Sequence, residues 1–393
     1  MSNTKKYTLL VPLAGKGQRM VNGGFKLPKP MLLAGHKTIL EWGLDSIDYS
    51  ECELIFIVRQ DHISGFSIDS FLKRKYGEEI KIAIAYEDTA GSLQSCQLAK
   101  DLINKDLPLI IFCPDVAFDK PKFKPKPSDF IADGHILTFK ANSTNYSYVR
   151  SDSKGNVIQT AEKVIISEDA SVGVYCFKSA RTFFQYTSTV ITGNLKEQGE
   201  FYIAPLYNLL IRDGLKVTQQ RVETMYIMGT PEELNFFNKV VYNYFLPRSF
   251  ILCSDHSGFT RKQEAIDYLT KSLNSNFIDC GCHSTKDCDY TEFIESAVSV
   301  HNRTPGSIIL GFCRSGQGVN ITANKFKNIR GVLVSDAVGA RLGIEHNAAN
   351  FFAIPEGVTN EKALIDIIQE LKTAQFRGGR HQNRLSKVLQ IGN

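Results

Sequence analysis

Apolar runs of strand length recur along the chain: "YTLLVPLA", "ELIFIVRQ", "IKIAIAY", "LPLIIFC", "HILTFKA", and later "FILCSD", "SIILGFC" and "IRGVLVSD". Amphipathic stretches such as "SLQSCQLAKDLI" and "KQEAIDYLTKSL" separate most of them. Strand and helix in alternation predict the α/β class, with parallel sheets covered by helices. The pattern breaks at "NYFLPRSFILCSD", where an aromatic helix ("PEELNFFNKVVYNYF") ends and a new strand, turn and helix begin. Pro247 stops that helix from running on, since proline lacks the N–H and clashes with the preceding turn. The predicted boundary therefore divides residues 1–246 from 247–393. A chain of 393 residues is long enough for two domains, each with its own core.

Composition narrows the class without naming it. Apolar residues are 43% and charged residues 22%, as in ordinary soluble proteins, and the formal charge is only +5. No basic stripe interleaved with aromatics is present, so no nucleic-acid partner is expected. The apolar run after "MSNTKK" is too short for a signal peptide, and no run reaches membrane-spanning length. We expect a cytoplasmic protein with no membrane partner. The nine cysteines have no framework spacing and several sit inside apolar runs, which fits thiols in a reducing compartment. Cys253, Cys280, Cys282 and Cys288 lack the C-x₂-C pairing of a zinc site.

Two glycine-rich loops carry the candidate chemistry. "PLAGKGQRM" follows the first strand, and its Gly15 and Gly17 permit close approach of backbone N–H groups to a phosphate, with Lys16 and Arg19 at hand. "GFCRSGQGVNITANK" sets Cys313 at the lip of a second loop. By itself each feature has a plainer reading: a tight turn, an inert strand-end thiol, surface histidines, a solvated helix end.

The first loop is followed by "KLPKPMLLAGHKTILEW", placing Lys29 between two prolines. This pairing resembles the sugar-phosphate nucleotidyltransferases, and the resemblance runs to about residue 245. It implies a Rossmann-like mixed sheet and assigns Leu13, Ala14, Gly15 and Gly17 to the nucleotide phosphates. Arg19 and Lys29 would stabilise charge as pyrophosphate leaves. "EDTAGSLQS" places Gly91 at the base, and "IIFCPDVAF" gives Asp115 as the Mg²⁺ ligand. "AEKV" (Glu162, Lys163), "ASVGVYCF" (Gly173) and "GEFYIAPLYNLLI" (Glu200) fall on the sugar-phosphate side. Attack of one phosphate on another joins two anions, so such a site needs cations more than acids or bases. Ile227, in "YIMGTPEEL", stands where many members place a second metal-binding aspartate.

From residue 250 onward "CSDHSGF", "DCDYTEF", "GFCRSGQGVNITANKFKNIRG", "EHNAANFFAI" and "RGGRHQNR" occur in order. Together they resemble ribose-5-phosphate isomerase B and its galactose-6-phosphate relatives, which implies a doubly wound parallel sheet and cofactor-free chemistry. Aldose–ketose isomerisation needs a base at C1 and C2, donors for an enediolate oxygen, and a group that opens the sugar ring. The resemblance makes Cys313 the base and His346 the ring opener. Ser315, Gly316 and Gly318 would cradle the enediolate, and Asp255, His256, Tyr290 and Asn347 would line the sugar. Arg380 and Arg384 would clamp the phosphate beside His381. It also implies a site shared across a homodimer. Arg314 stands where a glycine is common, and Ile344 where an arginine often precedes "xHN".

The expected protein is bifunctional, taking an NTP and sugar or polyol phosphates. A pentose phosphate would be isomerised and then it, or a derivative, activated as a nucleotide conjugate for a surface polysaccharide. The alternative is an isomerase with a non-catalytic N-terminal domain that binds a nucleotide sugar.

Overall fold

A computed structural model describes residues 5–118 and 123–391. It divides between Asn235 and Phe236 into two compact α/β units.

In the first unit the strands Tyr7–Pro12, Cys52–Arg59, Lys81–Ala85 and Leu109–Phe112 run parallel. Except for Lys81–Ala85, at the edge, their side chains are almost wholly buried because helices cover both faces of this part of the sheet. The sheet then turns antiparallel through Asp169–Phe177, which pairs with Leu109–Phe112, Gly134–Lys140 and Ser147–Ser151. The result is a mixed sheet of nine strands among the described residues. This far side of the sheet is built from short, half-polar strands such as Val157–Glu162, antiparallel to Ser147–Ser151, and Val217–Arg221, parallel to Gly134–Lys140, whose mixed burial gives no continuous apolar run. The helix expected over 92–103 is regular only at Ser92–Gln97.

The second unit holds five parallel strands, ordered Phe277–Asp279, Ser249–Ser254, Ser307–Cys313, Phe351–Pro355, Gly331–Leu333. Side chains cap its helices. Asp289 accepts from Thr291 N–H ahead of Tyr290–His301, and Asn360 accepts from Ala363 N–H ahead of Glu361–Thr373.

The division falls before the expected 246/247 because Phe236–Phe245 packs with the second unit. Phe236 meets Phe376 at 6.2 Å between ring centroids, and Tyr244 donates to the Ala349 carbonyl at 3.1 Å. The segment is mostly a π turn, Phe237–Val241, followed by a 3₁₀ turn, Tyr242–Phe245, which stops two residues before Pro247. Among the described residues no helix is long and apolar enough to cross a membrane.

Candidate active sites

In the first unit the strand Tyr7–Pro12 runs into the loop Leu13–Gly17, and Gly17, at φ 62°, opens the short helix Gln18–Asn22. A β-carbon on Gly17 would lie 3.5 Å from Lys29 Cβ, so the two motifs touch; at Gly15 it would meet only open space. Lys29 Nζ donates to Asp115 Oδ2 at 2.8 Å. A cavity of about 200 Å³ is lined by Leu13, Gly15, Gly17, Lys29, Cys113 and Asp115. Ala14, in the same loop, is buried. Arg19 is exposed and lines neither this cavity nor the neighbouring one of about 320 Å³ that contains Lys16 and Arg59. Lys16 and Arg59 both pair with Asp88 there, at 2.6 and 2.7 Å.

Gly91 is needed for a reason the sequence does not show. At φ 130° its β-carbon would sit 2.5 Å from the Phe201 carbonyl oxygen and 2.6 Å from Phe201 N. Phe201 N–H donates to Ala90, and Leu93 N–H to Phe201, so residues 90–93 and 201 form one backbone seam. That seam fixes the start of the segment bearing Glu200. Gln198 and Gly199 both have positive φ in the tight turn where Glu197 and Glu200 exchange backbone hydrogen bonds. Glu162 is buried and accepts from Ser147, and burial pushes its carboxyl above the usual range. Lys163 donates to the Tyr202 hydroxyl at 2.6 Å and lies over its ring. Gly173, at φ 85°, packs against Cys113 and accepts from its N–H, two residues before Asp115.

Ile227 is buried in the core beside Val116 rather than turned to the cleft. A different carboxylate approaches Asp115. A β-carbon on Gly229 would come 3.1 Å from Glu233 Oε2 and 3.2 Å from Asp115 Oδ2. Glu233 also closes a capping box with Thr230, and burial, then Asp115, raise its pKa. Among the described residues no three metal-ligating side chains converge. Two carboxylates suit Mg²⁺, which takes one or two from protein and the rest from phosphate and water.

The second unit presents functional groups at both ends of its sheet. Cys313 ends the strand Ser307–Cys313, beside Pro355 in register and almost fully buried. Gly316 N–H donates to its sulfur at 3.2 Å. Gly318 lies under Tyr290: a β-carbon there would be 2.6 Å from the ring Cζ and 2.7 Å from the hydroxyl. Asp255 Oδ1 accepts from Ser257 Oγ at 2.6 Å and Gly258 N at 2.8 Å, while Ser257 Oγ accepts from Arg314 N at 2.9 Å. His256 Nδ1 is held 3.2 Å from Cys288 N. Ser315 is exposed at the loop tip. Asp255, His256, Tyr290, Cys313, Ser315, Gly316 and Gly318 thus share the C-terminal end of the strands, where α/β sites form.

His346 and Asn347 close the helix Ala337–Asn347, just before the strand Phe351–Pro355, and so lie at its N-terminal end. His346 stacks on His381 with centroids 4.3 Å apart and planes 4° from parallel. A cavity of about 670 Å³ contains His346, Asn347, His381 and Arg384. Burial, His346 and the arginines 380, 384 and 377 hold His381 at about 4; burial and Arg377 lower His346. Arg380 therefore belongs to this end as well. Ile344 is buried.

Residues 10–201 match the nucleotidyl transferase family and residues 250–388 the ribose/galactose isomerase family. Over 139 residues the chain is 33% identical to ribose-5-phosphate isomerase B of Escherichia coli K12, covering 35% of this chain and 91% of that protein. The chain belongs to the ribose/galactose isomerase family. A Rickettsia conorii protein whose name is that of a sugar phosphate isomerase is 35% identical over 141 residues, 36% of this chain and 96% of that one. The first domain is similar to a solved Vibrio cholerae RC9 structure, a nucleoside-diphosphate-sugar pyrophosphorylase, at 26% identity and TM-score 0.54, covering 59% of this chain and all of that one. Both domains thus belong to enzyme families, a nucleotidyl transferase domain joined to an isomerase domain. Sequence reasoning missed Ser257, which ties the Asp255 loop of the isomerase domain to the Cys313 loop, and Glu233 and Tyr202 of the transferase domain. For Glu233 a signal was available, the Thr-x-x-Glu capping spacing.

Proposed function

We propose that this chain is a bifunctional enzyme: a pentose-phosphate isomerase and a nucleotidyltransferase acting on a sugar or polyol phosphate. The observation that carries the isomerase reading is the Cys313 loop, with a sulfur fixed by Gly316 N–H and flanked by Asp255, His256 and Tyr290. Cys313 removes the proton from C2 of the open-chain aldose and returns it to C1. The N–H groups of Ser315 to Gly318 receive the negative charge on the enediolate oxygen. Burial, then Arg377, lowers the pKa of His346, which favours the imidazole form that can accept a proton in ring opening. Arg380 and Arg384 take the phosphate. Because Cys313 and His346 stand at opposite ends of the sheet, a complete site takes Cys313 from one copy and His346 from a second, which supports a homodimer. Ribose 5-phosphate is the proposed substrate. Conversion to ribulose 5-phosphate, lost in Cys313→Ala, is the test; undiminished activity in that variant removes the base.

In the transferase domain the loop Leu13–Gly17 and Lys29 receive the NTP phosphates, while Glu162, Lys163, Gly173 and Glu200 face the sugar phosphate. Asp115, with Glu233 beside it, would hold Mg²⁺, which when bound neutralises charge on the phosphates. Lys29, already directed at Asp115, adds a fixed cation at the same point. Arg19 acts only if it folds inward over bound nucleotide. The pairing of domains fits supply of an activated sugar or polyol for a surface polysaccharide. Pyrophosphate release with Mg²⁺, four NTPs and a panel of pentose and polyol phosphates tests this half. A second reading, a binding module without turnover, is favoured by Ile227, whose place in the core leaves the cleft one aspartate short. Tight nucleotide binding without pyrophosphate release is its signature.

A further inference from the structure

The isomerase domain contains a cavity that neither proposed reaction uses. It opens at the N-terminal ends of the strands, against the turn Thr304–Ser307 and the segment 236–248, and encloses about 520 Å³, within the range of small-molecule sites. Lys239, Arg248, Lys327 and Arg330 line it, and no aspartate or glutamate does. Among the described residues none of these four cations is paired with a carboxylate. Four unpaired positive charges in one concavity repel each other and focus the field on whatever enters.

Arg248 is the sharpest feature. One guanidinium nitrogen donates to the Ala374 carbonyl at 3.0 Å and the group lies over the Tyr244 ring, but its Nε is buried with no partner. Buried donors are nearly always bonded, so an orphan on a cation marks a place built for an acceptor that comes from outside. Burial lowers the pKa of Arg248, the cost of keeping that charge unpaired. His301, on the same wall, bonds to Ser307 and Asn350; burial, then Arg330, lowers its pKa to about 4, so it adds polar lining without charge.

We propose that this cavity binds a phosphorylated small molecule of at least two negative charges, held by Arg248 and Arg330 within and Lys239 and Lys327 at the mouth. The site is separate from the Cys313 loop at the other end of the sheet, and His346, Asn347, Arg380, His381 and Arg384 do not line it. It shares Lys327 and Arg330 with the adjoining His346 cavity. Arg330 Nε donates to the Ala348 carbonyl, at the end of the helix that carries His346, so an occupant of the cavity bears on that helix. This inference stands without the proposed reactions. Its ligand is recognised by phosphate charge, supplied either by a nucleotide or by free pyrophosphate.

Titration calorimetry on the full chain tests it, with inorganic pyrophosphate and each NTP as separate probes and no divalent metal. Lys29→Ala and Arg384→Ala, singly and together, remove the phosphate sites already assigned, and binding to the new cavity should persist in the double variant. In that background Lys239→Ala with Lys327→Ala should weaken it at least tenfold, and Arg248→Met should do the same. Lys327→Arg should restore it, which separates charge from folding. Pyrophosphate binding identifies the phosphates as sufficient; binding by nucleotides alone shows that the base is also held, and either supports the site. The proposal is overturned if the Lys29/Arg384 double variant binds none of the probes at millimolar concentration. It is equally overturned if the lysine substitutions leave the affinity unchanged.

Discussion

If each isomerase site draws Cys313 from one copy and His346 from another, two dead variants should rescue each other. Cys313 pairs in register with Pro355, whereas His346 precedes the start of the strand Phe351–Pro355. Five residues of strand rise about 16 Å. Five sugar carbons at roughly 1.5 Å per bond cannot reach between groups so placed. Cys313→Ala and His346→Ala chains should each be inactive. Mixed and allowed to re-pair at random, half the dimers contain one of each, and in these one site carries both lesions and the other neither. Activity should therefore return to about a quarter of the wild-type value, with symmetric dimers assumed. The assay is ribulose 5-phosphate formation by tagged chains, with the mixed dimer isolated by sequential affinity steps. An isolated mixed dimer with no more activity than its parents would refute the shared site and require the two groups to meet within one chain.

Further outcomes are expected from single substitutions. Gly91→Ala drives a β-carbon into the Phe201 backbone at a φ that side chains avoid, and should cost at least about 2 kcal/mol in urea unfolding of the transferase domain; a change under ~0.5 kcal/mol would refute the seam. Glu233→Gln keeps an acceptor for the helix cap but removes the charge beside Asp115, so pyrophosphate release should fall about tenfold or more; full activity at low Mg²⁺ would assign Glu233 to the cap alone. Burial first, then Arg330, lowers His301 from 6.5 to about 4. The unfolded chain therefore takes up the proton first, so stability is complete above about pH 6.5 and declines toward pH 4, by on the order of 3 kcal/mol. His301→Gln should flatten that decline in denaturation midpoints measured across the range, and an unchanged slope would count against it.

The legible parts of the fold are those set by local pattern. Continuous apolar runs such as "SIILGFC" are strands because both faces of a parallel sheet are covered, and both glycine loops follow such strands. Short strands at the far edge of the mixed sheet, such as Val217–Arg221, owe their state to parallel pairing with Gly134–Lys140 rather than to their own residues. The division falls at Phe236 rather than after residue 246 for the same reason: the partners of Phe236 and Tyr244, Phe376 and Ala349, are more than a hundred positions away. Lys29 and Asp115 came out of the sequence as separate motifs and lie 2.8 Å apart. Arg19 and Glu233 fared oppositely. One is a motif residue left at the surface; the other, read as ordinary helix, turns its carboxylate toward Asp115 because Gly229 leaves room.

The placing of Cys313 and His346 at opposite ends of one sheet also bears on the order of events in time. A strand within a packed sheet does not shorten, so no motion short of unfolding brings the two together in a single copy. The transferase cleft, built from one unit, is complete when that unit has folded. If the isomerase site is shared as proposed, it is not: a newly made chain would then pass through a folded but silent stage that lasts until it meets another. The length of that stage would fall as the chains accumulate, and the two proposed activities of a young protein would come on in sequence, the transferase first.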